Sequence, residues 1–185
     1  MPVYKESGYQ FDLPDGKTFR FAECPTYQTH LSAHELKEMD FGWIVDDSAP
    51  VVWLAEVSNY SLGPDAQEVS LPKFLEEAVH KITHCLLMLS AVWAETATGR
   101  ELRRDIEQTC PEFPNQAADV RAAILVGFES EDSAFKMETI SNSLRPRLRG
   151  RMRCMGTSLP GGAATLTFSL SRSSTTLPVS VNPVQ

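Results

Sequence analysis

Two apolar runs separated by a short polar break lie in the first third of the chain and predict a pair of adjacent β-strands. The runs cover residues 39–45 and 51–60, and both are rich in β-branched and aromatic residues. The break at residues 46–50 contains two aspartates, a serine and a proline, which favour a turn. Residues 18–23 alternate apolar and polar positions and predict a further strand with one buried face.

The segments around these strands give weaker patterns. Residues 1–16 are polar and contain a Pro-Asp-Gly turn signal, so they predict an arm or a short edge strand. Residues 31–37 fit a short helix, with Ser32 and Glu35 as a capping box, and fit a loop equally well.

A long amphipathic helix is predicted over residues 71–95. Its apolar positions recur at alternating steps of four and three residues, which places them on one face. The opposite side carries Lys81, together with His80 and His84. Two histidines four residues apart have the spacing of zinc ligands on a helix, although solvated histidines are the default interpretation. The apolar positions are Leu75, Val79, Ile82, Leu86, Leu89 and Trp93.

The pattern beyond this helix alternates between helices and strands. A break at residues 98–100 precedes a short charged helix over 101–108. The compact apolar run 122–128 is typical of a central strand that is covered on both faces. A helix over 133–148 and a short strand at 152–155 are predicted to follow. This order of elements predicts an α/β fold with a mixed β-sheet flanked by helices.

The composition changes after residue 156 to Ser, Thr, Pro and Val with a single arginine. Residues 164–171 alternate and predict one more strand, whereas 173–185 predict a tail that is disordered or ordered only against a partner. We therefore divide the chain into an α/β domain over 1–156 and a Ser/Thr/Pro-rich strand and tail over 157–185.

The length, composition and net charge of the chain are those of an ordinary globular protein. The chain has 185 residues, of which 42% are hydrophobic and 22% charged, as is ordinary for a globular protein. No apolar run is long enough to span a bilayer and no secretory signal is evident, so we expect a cytoplasmic protein with reduced cysteines. The net charge of −7 argues against coating nucleic acid by charge alone.

Two carboxylates stand inside the paired apolar runs. Asp40 lies at the start of the first predicted strand and Glu56 near the end of the second. An acid in such a run is costly to bury unless it is paired or holds a cation. Acids on neighbouring strands can converge on one cation, and oxygen ligands suit Mg²⁺ or Mn²⁺. The pattern therefore predicts a metal site.

These residues resemble the motif of the PD-(D/E)XK nuclease family. In that motif an Asp at the start of one strand is followed, on the next strand, by an acid, any residue and a Lys. Asp40 matches the first acid, Glu56 the second and Val57 the intervening residue, while Ser58 stands where the family has Lys. The resemblance implies a restriction-endonuclease-like core and Mg²⁺ or Mn²⁺ held by Asp40, Glu56 and the Val57 carbonyl. It further implies hydrolysis of nucleic acid, with DNA favoured over RNA, and suggests a homodimer and a role in defence.

The serine at the position of the catalytic lysine requires another source of positive charge. Lys81 is the first candidate, because in the family the helix after the last catalytic strand packs beside the site. Lys37 and Lys73 are further candidates. The family often carries another acid upstream of the first Asp, and Glu23 is either that acid or a plain strand-end residue.

Five arginines alternate within nine residues near the C-terminus, with no acid among them. They predict a local positive strip that holds phosphate, which an acidic nuclease would need. The alternative is a solvated helix end followed by an edge strand with arginines on it. The residues are Arg145, Arg147, Arg149, Arg151 and Arg153.

Two other functions stay open beside a metal-dependent nuclease. A nuclease-like domain without catalysis would bind nucleic acid, or a protein through its C-terminal tail, and Ser58 motivates this hypothesis. In the third hypothesis Asp40 and Glu56 are only structural acids of an unrelated α/β domain.

Overall fold

The computed structural model describes most of the chain. The described residues are 3–46, 49–59, 71–127, 142–144, 146–149, 151, 165–169 and 179–183. None of the helices in these ranges is long and apolar enough to cross a membrane. The elements in chain order are β1 (Val3–Glu6), β2 (Tyr9–Asp12), β3 (Thr18–Phe19), β4 (Phe41–Asp46), β5 (Pro50–Asn59), α1 (Leu71–Trp93), α2 (Ala97–Thr109), β6 (Asp119–Gly127), β7 (Thr165–Ser169) and β8 (Ser180–Pro183).

A mixed five-stranded sheet in the order β3-β4-β5-β6-β7 forms the centre of the protein. The β3–β4 and β4–β5 pairs are antiparallel, whereas the β5–β6 and β6–β7 pairs are parallel. A parallel connection needs a long crossover, which contains α1 and α2 here. The predicted α/β class and mixed sheet are confirmed, as is the central position of β6, whose residues 122–125 are fully buried.

Both helices contribute to a hydrophobic cluster on one face of the main sheet. The predicted apolar face of α1 is confirmed, because all its positions are buried except Trp93, which is partly buried and packs on the same cluster. Leu144 and Leu148, from helical residues further along the chain, join the cluster as well. On the sheet, the cluster takes alternate residues of β5 and β6, such as Val52 and Leu54 of β5.

A second sheet, in the order β1-β2-β8, contributes to a hydrophobic cluster on the other face. Phe11 of β2 contacts Phe41 at 5.1 Å between ring centroids, and Trp43 stacks on Trp53 at 5.8 Å beneath. The prediction of a sheet flanked by helices therefore holds, among the described residues, for one face only. The predicted N-terminal arm is a β-hairpin, because Tyr9 and Phe11 alternate with polar residues and bury one face of β2.

The predicted strand at residues 18–23 is wrong after Phe19. Residues 21–23 form a 3₁₀ turn, since Phe21 folds inward and packs edge-on against Phe19 at 5.4 Å. The capping box at Ser32 is wrong too. The Ser32 hydroxyl donates to the Gln28 carbonyl at 2.9 Å, and Glu35 adopts a left-handed φ of 61°. Residues 27–34 instead form a π turn and a 3₁₀ turn.

The predicted break at residues 98–100 is also wrong, because Gly99 lies inside α2. Thr96 is the N-cap and its hydroxyl accepts a hydrogen bond from the Gly99 N–H at 3.0 Å. A Cβ on Gly99 would lie 1.9 Å from the Ala91 carbonyl oxygen. The glycine therefore permits close packing of the two helix ends.

The C-terminal segment supplies a strand to each sheet. β7 lies within the strand predicted at residues 164–171 and pairs with β6. β8 replaces part of the predicted tail, because it pairs with β2 along its whole length. The strand predicted at 152–155 lies outside the described residues, as does the first part of the helix predicted at 133–148. Cys24, Cys85 and Cys110 are all buried.

We predict that Gly42→Ala destabilises the protein by about 1–3 kcal/mol, the usual range for overpacking a core. Phe19 lies opposite Gly42 in the β3–β4 pair, and its ring would be 2.3 Å from a Cβ at Gly42. Urea denaturation measures the loss. In a Phe19→Leu background the cost of Gly42→Ala should fall, because the ring is absent. An equal cost in both backgrounds would contradict this explanation.

Candidate functional site

Asp40 and Glu56 lie opposite each other across the β4–β5 pair. The antiparallel register ends at the pair of Phe41 with Ala55, and Asp40 and Glu56 are the residues next to this pair on the two sides. Residues directly opposite in such a pair have Cβ atoms about 4.5–5.5 Å apart on the same face of the sheet. The two predicted acids are thus brought together by strand register, on the face that α1 covers.

Backbone contacts fix Asp40 at the point where β4 begins. Its Oδ2 accepts a hydrogen bond from the Val57 N–H at 2.7 Å. Its carbonyl accepts one from Nε of Arg20 at 2.8 Å, and the Arg20 guanidinium lies 5.0 Å from the centroid of the Phe41 ring. Asp40 therefore has little freedom in either its backbone or its side chain.

Glu56 is paired with Lys81 on α1. The Lys81 Nζ lies 2.6 Å from Oε1 of Glu56, and their side chains are 22% and 10% exposed. The other carboxylate oxygen, Oε2, is buried and has no hydrogen-bond partner among the described residues. A buried carboxylate oxygen without a partner is costly, so this atom is suited to receive a cation.

The electrostatics of the site favour the protonated, neutral form of Glu56. Burial, followed by the charge of Asp40, raises the pKa of Glu56 to about 8 and outweighs the influence of Lys81. Burial also raises the pKa of Asp40, against the Val57 N–H and Lys81, which lower it. Burial alone would lower the pKa of Lys81, but the nearby carboxylates raise it, so this lysine stays protonated at neutral pH.

Ser58 and Val57 occupy the positions that the β5 pattern predicts. Ser58 follows Glu56 by two residues, so it lies on the same face, half-buried and without charge. The Val57 carbonyl, which the resemblance implies as a metal ligand, accepts a hydrogen bond from the hydroxyl of Ser7 at 3.2 Å.

The other predicted residues lie outside the Asp40–Glu56 pair. The Lys37 ammonium is 3.0 Å from Oε1 of Glu77, on the exposed side of α1. Lys73 is exposed, and its charge acts on Glu77. Glu23 is half-exposed and pairs with Arg20 at 3.4 Å, so it takes the plain structural role.

A zinc site on the two histidines of α1 is disfavoured. His84 Nδ1 accepts a hydrogen bond from the Lys37 N–H at 3.0 Å. A neutral His84 therefore carries its proton on Nε2, and neither nitrogen has a lone pair to offer a metal. The His80 and His84 rings stack at 6.0 Å instead.

The described arginines of the predicted strip do not share one face. Arg147, Arg149 and Arg151 are exposed and helical, and successive members two apart on a helix point in nearly opposite directions. Arg151 and Arg147 do lie on one side, where Nη1 of Arg151 donates to the Arg147 carbonyl at 2.7 Å. Arg145 and Arg153 lie outside the described residues.

The donor set fits a hard divalent cation that would complete its coordination with water. The charge of Asp40 raises the pKa of Glu56, whose Oε2 is buried without a partner among the described residues, and the Val57 N–H binds Asp40. Within the described ranges, no group of three or more His, Cys, Asp or Glu is gathered closely enough to hold a metal. Mg²⁺ is usually held by one or two carboxylates and several waters, so Asp40 and Glu56 are residues that could hold it.

The sequence patterns gave no sign of two residues that contact this site. Ser7 belongs to the β1–β2 turn and is separated from Val57 by 50 positions. Arg20 was predicted only as a polar position in a strand, yet it bonds to the Asp40 carbonyl and pairs with Glu6 at 3.6 Å. Neither contact has a local signature, because each joins elements that are distant in the chain.

Comparisons with known proteins give no information on the function of this chain. No protein-family model, no curated protein and no solved structure matches the chain.

We predict that stability falls as pH rises from about 4.5 to about 8, through the titration of Glu56. Its pKa is raised in the folded protein to about 8 from an ordinary value of 4.5, so the folded state holds the proton more tightly across this window. Lys81 does not titrate in the same range, because its pKa is raised from 10.5. Glu56→Gln should therefore be more stable than wild type at pH 8.5, by on the order of a few kcal/mol, with the gap closing near pH 5.

Thermal unfolding of both proteins across this range measures the effect. Glu76→Gln, on the exposed side of α1, is the matched control and should follow wild type. Parallel curves for wild type and Glu56→Gln would contradict the assignment of the titration to Glu56.

Proposed function

We propose that the protein is a metal-dependent nuclease with a restriction-endonuclease-like core. Asp40, Glu56 and the Val57 carbonyl would hold Mg²⁺ or Mn²⁺, and Lys81 would stand beside the attacking water. The observation that carries the proposal is the 2.6 Å pair between Lys81 and Glu56. It supplies, from a helix, the positive charge that Ser58 does not supply from the strand.

The arrangement of elements supports this proposal. Asp40 lies directly before β4, and Glu56 lies on β5, which is antiparallel to β4. Lys81 comes from α1, the first helix of the crossover that follows β5. The packing of that helix beside the predicted site agrees with what the resemblance implies. The mixed sheet, with β6 parallel to β5, is compatible with such a core.

Each residue would have a separate part in the hydrolysis of a phosphodiester. The metal would polarise the phosphate and lower the pKa of a bound water. Asp40 is held rigid by Val57 and Arg20, so it would fix the position of the cation. Lys81 remains protonated, because neighbouring carboxylates raise its pKa, and it would therefore donate hydrogen bonds and stabilise charge on the phosphate. A protonated lysine cannot act as the general base.

We propose a nucleic acid as substrate, with DNA favoured over RNA. The exposed Arg147, Arg149 and Arg151 support contact with phosphates, on a chain whose net charge is otherwise negative. Because the described members do not share a face, their contacts would be distributed around a helix end.

We predict that Lys81→Met lowers the rate of Mg²⁺-dependent DNA cleavage by about 10²-fold or more, through loss of a charged donor at the reacting phosphate. Lys81→Arg should retain part of the activity, since it keeps the charge. Lys37→Met is the matched control and should stay within about twofold of wild type, because it removes only an exposed ion pair with Glu77. Cleavage of labelled DNA and RNA in Mg²⁺, Mn²⁺ and EDTA measures all three.

Asp40→Asn and Glu56→Gln should abolish the same cleavage while the circular dichroism spectrum is unchanged. Full activity of either variant would overturn the proposed nuclease. Mn²⁺ binding by wild type without cleavage of any nucleic acid would favour the second hypothesis, a nuclease-like domain that binds without catalysis.

A further inference from the structure

The tip of the N-terminal hairpin reaches the site through a single serine. Ser7 and Gly8 form the two-residue turn between β1 and β2, with φ of 49° and 80°. These values are typical of a type I′ turn, in which Asn-Gly, Asp-Gly and Gly-Gly are preferred. A serine at positive φ is locally unfavourable, and residues held in such conformations cluster at functional sites.

The Ser7 hydroxyl lies beside the predicted metal ligands. It is 3.2 Å from the Val57 carbonyl oxygen, and the N–H of Val57 binds Asp40 at 2.7 Å. The N–H and C=O of one strand residue point to the same side, which here is the side that β4 leaves open before Phe41. Ser7 and the Asp40 carboxylate therefore line the same edge of β5.

A second contact holds the hairpin against this edge. Glu6, the neighbour of Ser7, pairs with Arg20 at 3.6 Å, and Arg20 bonds to the Asp40 carbonyl at 2.8 Å. The charge of Glu6 acts on Asp40 and raises its pKa. The position of Ser7 is thus fixed by an ion pair as well as by its own hydrogen bond.

We propose that the Ser7 hydroxyl is a further ligand of the cation, an inference that rests on the proposed function. In an octahedral Mg²⁺ site with bonds of about 2.1 Å, adjacent ligand oxygens lie about 3 Å apart. The separation of 3.2 Å between the Ser7 and Val57 oxygens suits such a pair. On binding, the hydroxyl would turn its proton away from the Val57 carbonyl and offer a lone pair, as Ser and Thr hydroxyls do on Mg²⁺ in P-loops.

Isothermal titration with Mn²⁺ and with Cd²⁺ tests this ligand in two variants. Ser7→Gly removes the hydroxyl and suits the positive φ, so it should bind Mn²⁺ about tenfold more weakly while its melting temperature is equal or higher. Ser7→Cys should also bind Mn²⁺ more weakly but bind Cd²⁺ about tenfold more tightly, because a thiolate prefers soft metals.

Ser32→Cys is the matched control, since the Ser32 hydroxyl also donates to a backbone carbonyl, that of Gln28. It should match wild type for both metals. A hydroxyl that only braces the hairpin would leave the preference between Mn²⁺ and Cd²⁺ unchanged in Ser7→Cys, and that result would overturn the inference. If wild type binds Mn²⁺ and Ser7→Gly binds it equally well, the Ser7 hydroxyl is excluded as a ligand, while the proposed function is not affected. If wild type binds no divalent metal, the proposed function fails as well.

Discussion

The burial of Glu56 opposite Asp40 is the constraint on which the rest of the site depends. Strand register forces the two carboxylates together, and burial raises the pKa of both. One lysine balances only part of their charge, and one Glu56 oxygen stays without a partner. Such an arrangement stores unfavourable electrostatic energy, which a bound divalent cation would relieve. Stability and proton binding are therefore coupled at this point in the sheet, and binding of the proposed metal would be coupled to both.

The two layers that cover the main sheet meet at the same place. α1 lies on one face and delivers Lys81 to Glu56, while the β1–β2 hairpin, from the layer on the other face, delivers Ser7 to the edge of β5. Arg20 connects this hairpin to Asp40 through Glu6. The end of β4 leaves the Val57 backbone groups open, and side chains satisfy them in place of a strand. The Asp40–Glu56 site therefore lies where the β4–β5 ladder ends.

The features that could be predicted from the sequence are those with a local period. An apolar run rich in β-branched and aromatic residues marked β5, and the step of three and four marked α1. The approach of Lys81 to Glu56 was expected only from the family resemblance. The hairpin layer could not be predicted, because β2 pairs with β8 from the other end of the chain, which looks like a polar tail. The contact of Ser7 with Val57 was missed for the same reason. The helix break predicted at Gly99 was wrong, because a glycine that ends a helix and a glycine that permits close packing cannot be distinguished in sequence.

The proposed use of a helix lysine in place of a strand lysine has a simple physical basis. Electrostatic stabilisation depends on where the ammonium lies and hardly at all on which backbone carries it, and a lysine side chain has four flexible methylene groups. Ser58 and Lys81 belong to elements that pack face to face, so either position can serve the carboxylate between them. Because the pKa of Glu56 is raised to about 8, this carboxyl holds a proton at neutral pH, and the charge of Lys81 is balanced by Asp40. Under the proposed function, a divalent cation that displaced this proton would leave the site with a charge of +1, so the metal would favour binding of a phosphodiester as well as its hydrolysis.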